Sequence, residues 1–257
     1  MTYALITGAS RGIGQAIAAE LARRGFNVLL VARSEELLQK QSESLTTIYS
    51  IKSDYFATDL SLPPSPLAIY NWCLSKGYEV SILVNNAGYG LSGPLEKYTA
   101  EESLNMMQVN MMAPVYLVHL FLPLLQRHNR SYILNIASTS AYQAVPNMSV
   151  YSASKAFILN FSRGLRQELK GSTVSVTCIS PGSTDTEFVV RANIGEKGLR
   201  AARKVNMHPG QVARIAVTAM LKDKGERIPG FVNRLGAFLA WLLPKGLVER
   251  TAMKLYE

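Results

Sequence analysis

Thr7-Gly8-Ala9-Ser10-Arg11-Gly12-Ile13-Gly14 stands directly after a short apolar run, 3–7, and directly before a stretch of helical periodicity, 13–24. Three glycines crowd the point where a strand would hand over to a helix. Glycine permits a tight turn and lets another group come close to the backbone, which a larger side chain would prevent. A helix N-terminus also offers free N–H groups and the positive end of its dipole, so this turn is a ready site for a phosphate.

Outward from the turn, short apolar runs alternate with longer amphipathic ones. Strands are expected at 27–31, 53–57, 81–84, 132–136, 173–179 and, weakly, 227–232; helices at 34–49, 65–76, 100–126, 149–170 and 209–222. Such alternation specifies βαβ units, and near-continuous apolar strands imply a sheet covered on both faces. The expected fold class is therefore α/β: one domain over 1–257, a doubly wound parallel sheet of about seven strands with helices on both faces. Two stretches resist the scheme. Residues 183–208 are basic and contain Gly195 and Gly198, and residues 235–257 begin with an apolar run that stops at Pro244. That run is far too short to cross a bilayer, which takes about 20 residues.

Of the 257 residues 48% are hydrophobic and only 18% charged, which excludes a disordered chain. Cys73 and Cys178 have no Cys or His at ligand spacing, so neither a metal site nor a disulfide framework is expected, and a reducing cytoplasm is the default. The first apolar run lacks a basic flank and ends at Gly8, so it belongs to the fold and not to a secretory signal. The net charge of +9 is unevenly placed: residues 1–186 hold 14 basic and 12 acidic side chains, residues 187–257 hold 13 and 6. A nucleic-acid partner is not expected, because no reading helix or basic-aromatic module accompanies the charge.

The glycine turn inside an alternating α/β pattern reads as a dinucleotide site. An NAD site would place an acid about 20 residues further on, to hold the ribose 2'-hydroxyl. Here Ala32-Arg33-Ser34 occupies that place. A guanidinium makes paired, charge-assisted bonds to phosphate oxygens, so Arg33, with Arg11 in the turn, favours the 2'-phosphate of NADP(H).

Further along come Asn85-Asn86-Ala87-Gly88, Asn110, Ser138, Tyr151 with Lys155, and Pro181-Gly182. Tyr and Lys four apart share one helix face, and an adjacent ammonium favours the phenolate, drawing a pKa near 10 towards the working range. From Thr7 to Thr186 this ordered set resembles the short-chain dehydrogenase/reductase family, and the resemblance implies a Rossmann fold. It implies that Tyr151 exchanges a proton with the substrate oxygen, that Lys155 lowers its pKa and binds the nicotinamide ribose, and that Ser138 orients the carbonyl. Asn110 would hold the water of a proton relay. Gly8, Ser10, Arg11, Gly12, Ile13 and Gly14 would hold the diphosphate, Asp59 and Leu60 the adenine, and Asn86, Ala87 and Gly88 the adenosine ribose. Pro181, Gly182, Thr184 and Thr186 would meet the nicotinamide.

The implied activity is NADP(H)-dependent interconversion of a carbonyl and a secondary alcohol by hydride transfer. Tyr89, Leu91, Tyr142, Gln143, Val145, Met148 and Ser183 lie near the motifs and are mainly apolar, which favours a hydrophobic small-molecule substrate. A 3-oxoacyl thioester on an acyl carrier is the alternative, drawn by the basic segment 183–208, which matches the family's substrate lid. A non-catalytic NADP-sensing regulator is a third reading, and it would be expected to lack Tyr151 or Lys155. Helices 100–126 and 149–170 are apolar on more than one face, and by resemblance they pair across a two-fold axis in a homodimer or homotetramer. The helical tail 235–257 is expected to be buried, over the site or against another subunit; contact with a membrane surface is the less favoured reading.

Overall fold

A computed structural model describes residues 2–185 and 206–256. Among them, seven strands form one wholly parallel sheet: β1 (Tyr3–Thr7), β2 (Asn27–Ala32), β3 (Ser53–Ala57), β4 (Val80–Asn85), β5 (Ser131–Ile136), β6 (Val174–Ile179) and β7 (Glu226–Arg227). Their spatial order is β3-β2-β1-β4-β5-β6-β7, the doubly wound Rossmann arrangement expected from the sequence.

The two-residue period of the strands sorts the core into two layers. Ala4 and Ile6 of β1, with Val28 and Leu30 of β2, pack beneath α1 (Gly12–Arg23) and α2 (Glu35–Tyr49). Leu5, Leu29 and Val31 point the other way, to α3 (Ser65–Ser75) and the helical segment 100–125. Every residue of β4 and β5 is buried, as a sheet covered on both faces requires. Helix α7 (Pro209–Leu221) adds Ala213, Val217 and Met220 to the first layer.

Three expectations are corrected. Segment 100–126 is not one regular helix: α4 (Ala100–Met107) leads through a π turn (Gln108–Met112) into α5 (Ala113–Leu125). The cause is Asn110, whose side-chain Oδ1 accepts from Tyr89 N at 3.1 Å while Nδ2 donates to Tyr89 O at 2.9 Å and Ser154 Oγ at 3.0 Å. Segment 100–125 is the one described stretch long and apolar enough to cross a membrane, yet it packs on the sheet through Val109, Leu117 and Phe121, as a core helix does. Its outer face is not buried, because Leu104, Met112 and Tyr116 are exposed, as is Phe157 of α6 (Ser149–Glu168).

The strand expected at 227–232 covers only Glu226–Arg227. Pro229 lacks the N–H a ladder needs, Gly230 turns the chain at φ 86°, and α8 (Phe231–Leu242) begins at once. The tail is also not buried in its own chain. Among the described residues of helices α8 and α9 (Lys245–Tyr256), only Ala237, Ala240 and Ala252 are buried, while Phe231, Leu235, Phe238, Trp241, Leu242 and Leu247 are exposed.

Candidate active site

The order of strands reverses between β1 and β4, and the crevice above that switch point is where an open α/β sheet binds its ligand. A single cleft of about 1030 Å³ runs there from the glycine turn, past the ends of β4 and β5, to α8.

Gly8 (φ 65°) and Gly12 (φ 59°) adopt left-handed backbone that only glycine takes readily. A Cβ on Gly8 would lie 2.8 Å from Ala87 Cα, and one on Gly14 would overlap Gly8 O and Asn86 Nδ2. The first turn and the Asn-Asn-Ala-Gly segment are thus pressed together. Asn86 Nδ2 donates to Thr7 O at 2.9 Å, and Thr7 Oγ1 accepts from Asn86 N and Ala87 N at 3.0 and 3.1 Å while donating to Val84 O. Gly8, Ser10, Arg11, Gly12 and Ile13 line the cleft, with Gly14 behind them as the packing glycine. The room left above this turn, and the helix N-terminus it opens on, fit a dinucleotide diphosphate.

At the adjacent end, Arg33 and Ser34 follow β2, and Thr58, Asp59 and Leu60 follow β3; all five line the cleft. Arg33 Nη1 and Asp59 Oδ2 are 3.8 Å apart with both side chains more than one-third exposed, a loose pair that holds Arg33 only weakly. Asp59 Oδ1 accepts from Ser61 N at 2.9 Å, closing the turn that presents the 58–60 backbone.

The other end holds Ser138, Tyr151 and Lys155. Ser138 caps a single 3₁₀ turn (Thr139–Tyr142) by accepting from Ser140 N at 3.2 Å. Tyr151 and Lys155, 7% and 5% exposed, lie one turn apart on α6, the ammonium 5.9 Å from the phenol ring centroid. Lys155 Nζ donates to Ile136 O at 3.0 Å, and a Cβ at Gly88 would be 3.2 Å from that nitrogen and 3.1 Å from Asn110 Oδ1. Asn110 itself stands one layer behind the cleft and acts on it through the Tyr89 backbone and Ser154.

Burial lowers the Lys155 pKa from 10.5 to about 8, which keeps the cation at neutral pH and removes it just above. Between about pH 8 and 10.5 the unfolded chain binds a proton the native chain has lost, so this group makes folding more favourable as pH rises through that window. In nucleotide-free protein, raising the pH from 7.5 to 10 should improve wild-type stability over Lys155→Met by about 2 kcal/mol. Denaturant midpoints of the two proteins at both pH values measure this, and a difference that stays constant would contradict it.

Asn86, Ala87 and Gly88, with Pro181, Gly182 and Thr184, line the middle of the cleft. Thr186 lies outside the described residues, as does most of segment 183–208. Its ends are tied together: Thr184 bridges Met207, and Ser183 Oγ donates to Asn206 Oδ1 at 3.0 Å. Of the expected substrate residues, Tyr89, Gln143, Val145, Met148 and Ser183 line the cleft. Leu91 lines a small separate pocket instead, and Tyr142 turns away to donate to Glu226 while its oxygen accepts from the Ser180 hydroxyl. Sequence reasoning missed Asn105, Val109 and the inner face of α8, namely Asn233, Gly236, Ala237 and Ala240, with Val232 at its edge. Asn233, Gly236, Ala237 and Ala240 recur at helical spacing, a signal that could have placed them on one face.

The family model described as short chain dehydrogenase matches residues 2–197. The chain is similar to an uncharacterized oxidoreductase of Staphylococcus epidermidis, 31% identical over 202 residues, which are 79% of this chain and 86% of that protein. It is also similar to the very-long-chain 3-oxoacyl-CoA reductase-B of Danio rerio, 35% identical over 72% of this chain and 60% of the other. Among solved structures, a short-chain dehydrogenase from Sphingobium yanoikuyae in complex with NADPH superposes with a TM-score of 0.83 at 30% identity, covering 96% of this chain and 95% of that one.

Proposed function

The chain belongs to the short-chain dehydrogenase/reductase family of nicotinamide-dependent oxidoreductases, and from that premise we propose that it uses NADP(H) to interconvert a carbonyl and a secondary alcohol on a mainly apolar small molecule. The observation that carries this reading is the single cleft that joins the glycine turn and its two arginines to Ser138, Tyr151 and Lys155. In it the turn Gly8–Gly14 holds the diphosphate, Arg11 and Arg33 the 2'-phosphate, Asp59 and Leu60 the adenine, and Asn86, Ala87 and Gly88 the adenosine ribose. Tyr151 and Lys155 face the nicotinamide ribose, and Pro181, Gly182, Thr184 and Thr186 the nicotinamide.

When bound, the nicotinamide supplies or accepts the hydride; proton chemistry belongs to the chain. In reduction the Tyr151 hydroxyl donates its proton to the substrate oxygen, and in oxidation its phenolate takes one. Ser138 donates a hydrogen bond to the same oxygen and stabilises the charge that develops there. The Lys155 ammonium, 5.9 Å from the Tyr151 ring centroid, stabilises the phenolate when it forms. Asn110 fixes the 88–89 backbone beside that ammonium, where the proton relay to solvent passes.

NADPH in the Sphingobium relative supports the cofactor choice, and the absence of an acid at position 33 supports it independently. Arg33→Ala should weaken NADPH binding about 10- to 100-fold and leave NADH binding within a few-fold, as loss of a charge-assisted bond predicts. Titrating both cofactors into both proteins decides it; an unchanged preference would remove Arg33 from the site. The Danio rerio relative favours a second reading, reduction of a 3-oxoacyl thioester. Following NADPH consumption across ketones, aldehydes, sugars, steroids and 3-oxoacyl thioesters separates the two. The free, buried Cys73 and Cys178 suit the cytoplasm. The exposed apolar residues Leu104, Met112, Tyr116 and Phe157 suit pairing with a second copy through the α4–α6 face.

A further inference from the structure

Helix α8 has no polar face. On one side Asn233, Gly236, Ala237 and Ala240 cover the cleft. On the other, Phe231, Leu235, Phe238, Trp241 and Leu242 are exposed, Phe231 and Trp241 each to 71%. A lone exposed aromatic needs no explanation, but a contiguous apolar band of this kind marks a contact surface. It continues past Pro244 to Leu247 of α9. The pairing surface proposed on α4–α6 uses none of these residues.

Charge indicates the occupant. Among the described residues of α8 and α9, Arg234, Lys245, Arg250 and Lys254 are exposed, whereas the one acid, Glu249, is half-buried. The Arg234 guanidinium lies over the Phe231 ring, 5.8 Å from its centroid, so a cation sits at the edge of the apolar band itself. A second copy would bring two basic surfaces together, on a chain already at +9, whereas an anionic headgroup layer neutralises them. Twelve residues of helix span about 18 Å, too short for the roughly 30 Å hydrocarbon core but suited to lying in its surface, with an aromatic pair such as Phe238 and Trp241 at headgroup depth.

We propose that the outer face of α8, with the start of α9, docks on an anionic lipid surface. Val232 is exposed on that surface and also borders the cleft, so the cleft opens beside the lipid. Resting on the function proposed above, the substrate is then an apolar carbonyl or alcohol that partitions into membranes.

The full chain should float with vesicles of equimolar phosphatidylcholine and phosphatidylglycerol, less with phosphatidylcholine alone, and less in high salt. Trp241 emission should shift to the blue on binding, while Trp72, stacked on Phe56, should not change. Phe238→Ser/Trp241→Ser should bind the anionic vesicles at least about tenfold more weakly. Arg250→Glu/Lys254→Glu, which spares the apolar band, should lose the preference for anionic lipid. Neither pair touches the cleft, so turnover of a water-soluble ketone should be unchanged; its absence in wild type as well would count against the catalytic reading and not against docking. No flotation by the wild type, or equal flotation by the serine variant, overturns the proposal. So does light scattering in which the serine variant halves the wild-type mass, because the band would then be a contact between copies.

Discussion

Tyr151→Phe should lower turnover about 10²- to 10⁴-fold while NADPH still binds and the chain still folds. The substitution removes one oxygen and keeps the ring. That ring packs in a small cluster with Met106, Val145 and Met148 above the main core, so its apolar burial is retained. What disappears is the proton donor to the substrate oxygen. The Ser138 hydroxyl does not replace it, being a far weaker acid than a phenol. The proposed assignment therefore predicts a fall in kcat with nearly unchanged cofactor affinity. Single-turnover rates measured with NADPH, beside binding of NADPH by fluorescence, would show it. A variant that turns over at wild-type rate would remove Tyr151 from the chemistry.

Gly14→Ala should damage both stability and nucleotide binding, although Gly14 does not line the cleft. The added methyl would overlap the carbonyl oxygen of Gly8 and the side-chain nitrogen of Asn86, and only the second belongs to a movable group. Asn86 cannot retreat freely, because that nitrogen donates to Thr7 O and Gly8 O at 2.9 and 3.2 Å. Overpacking at such a site costs up to about 3 kcal/mol. In a chain of this size that lowers the melting temperature by roughly 6–12 °C. Displacing Gly8 also tilts the N–H groups that would meet the diphosphate, so NADPH affinity should fall at least tenfold. Gly25→Ala is the control, since its Cβ would meet nothing within 4 Å, although its φ of 84° carries a backbone cost. Equal melting temperatures for Gly14→Ala and wild type would contradict this account.

The sheet was legible because its central strands are buried on both faces, so a hydrophobic run such as Val28 to Ala32 ends where β2 ends. The cleft was legible where a position demands one residue type, as at Gly8, or where spacing fixes a shared face, as for Tyr151 and Lys155. Elsewhere local pattern was insufficient. The π turn depends on what Asn110 finds across the fold, at Tyr89 and Ser154, and no periodicity encodes that. Tyr142 looked like a substrate contact because it follows Ser138 closely, yet Glu226, 84 positions away, draws its hydroxyl elsewhere. Residues 235–257 read as buried because apolar side chains usually are; only the small residues at helical spacing could have indicated which face turns inward.

The bridge between Thr184 and Met207 bears on how far the length of the chain between them can change. The bridge holds the two described ends of segment 183–208 side by side, with Asp185 N donating to Met207 O and Met207 N to Ser183 O. Closing a longer excursion costs little, about 0.6 kcal/mol for each doubling of its length. The family match ends at residue 197, inside this excursion. A change in the number of residues between those two ends should therefore leave Thr184 where it lines the cleft.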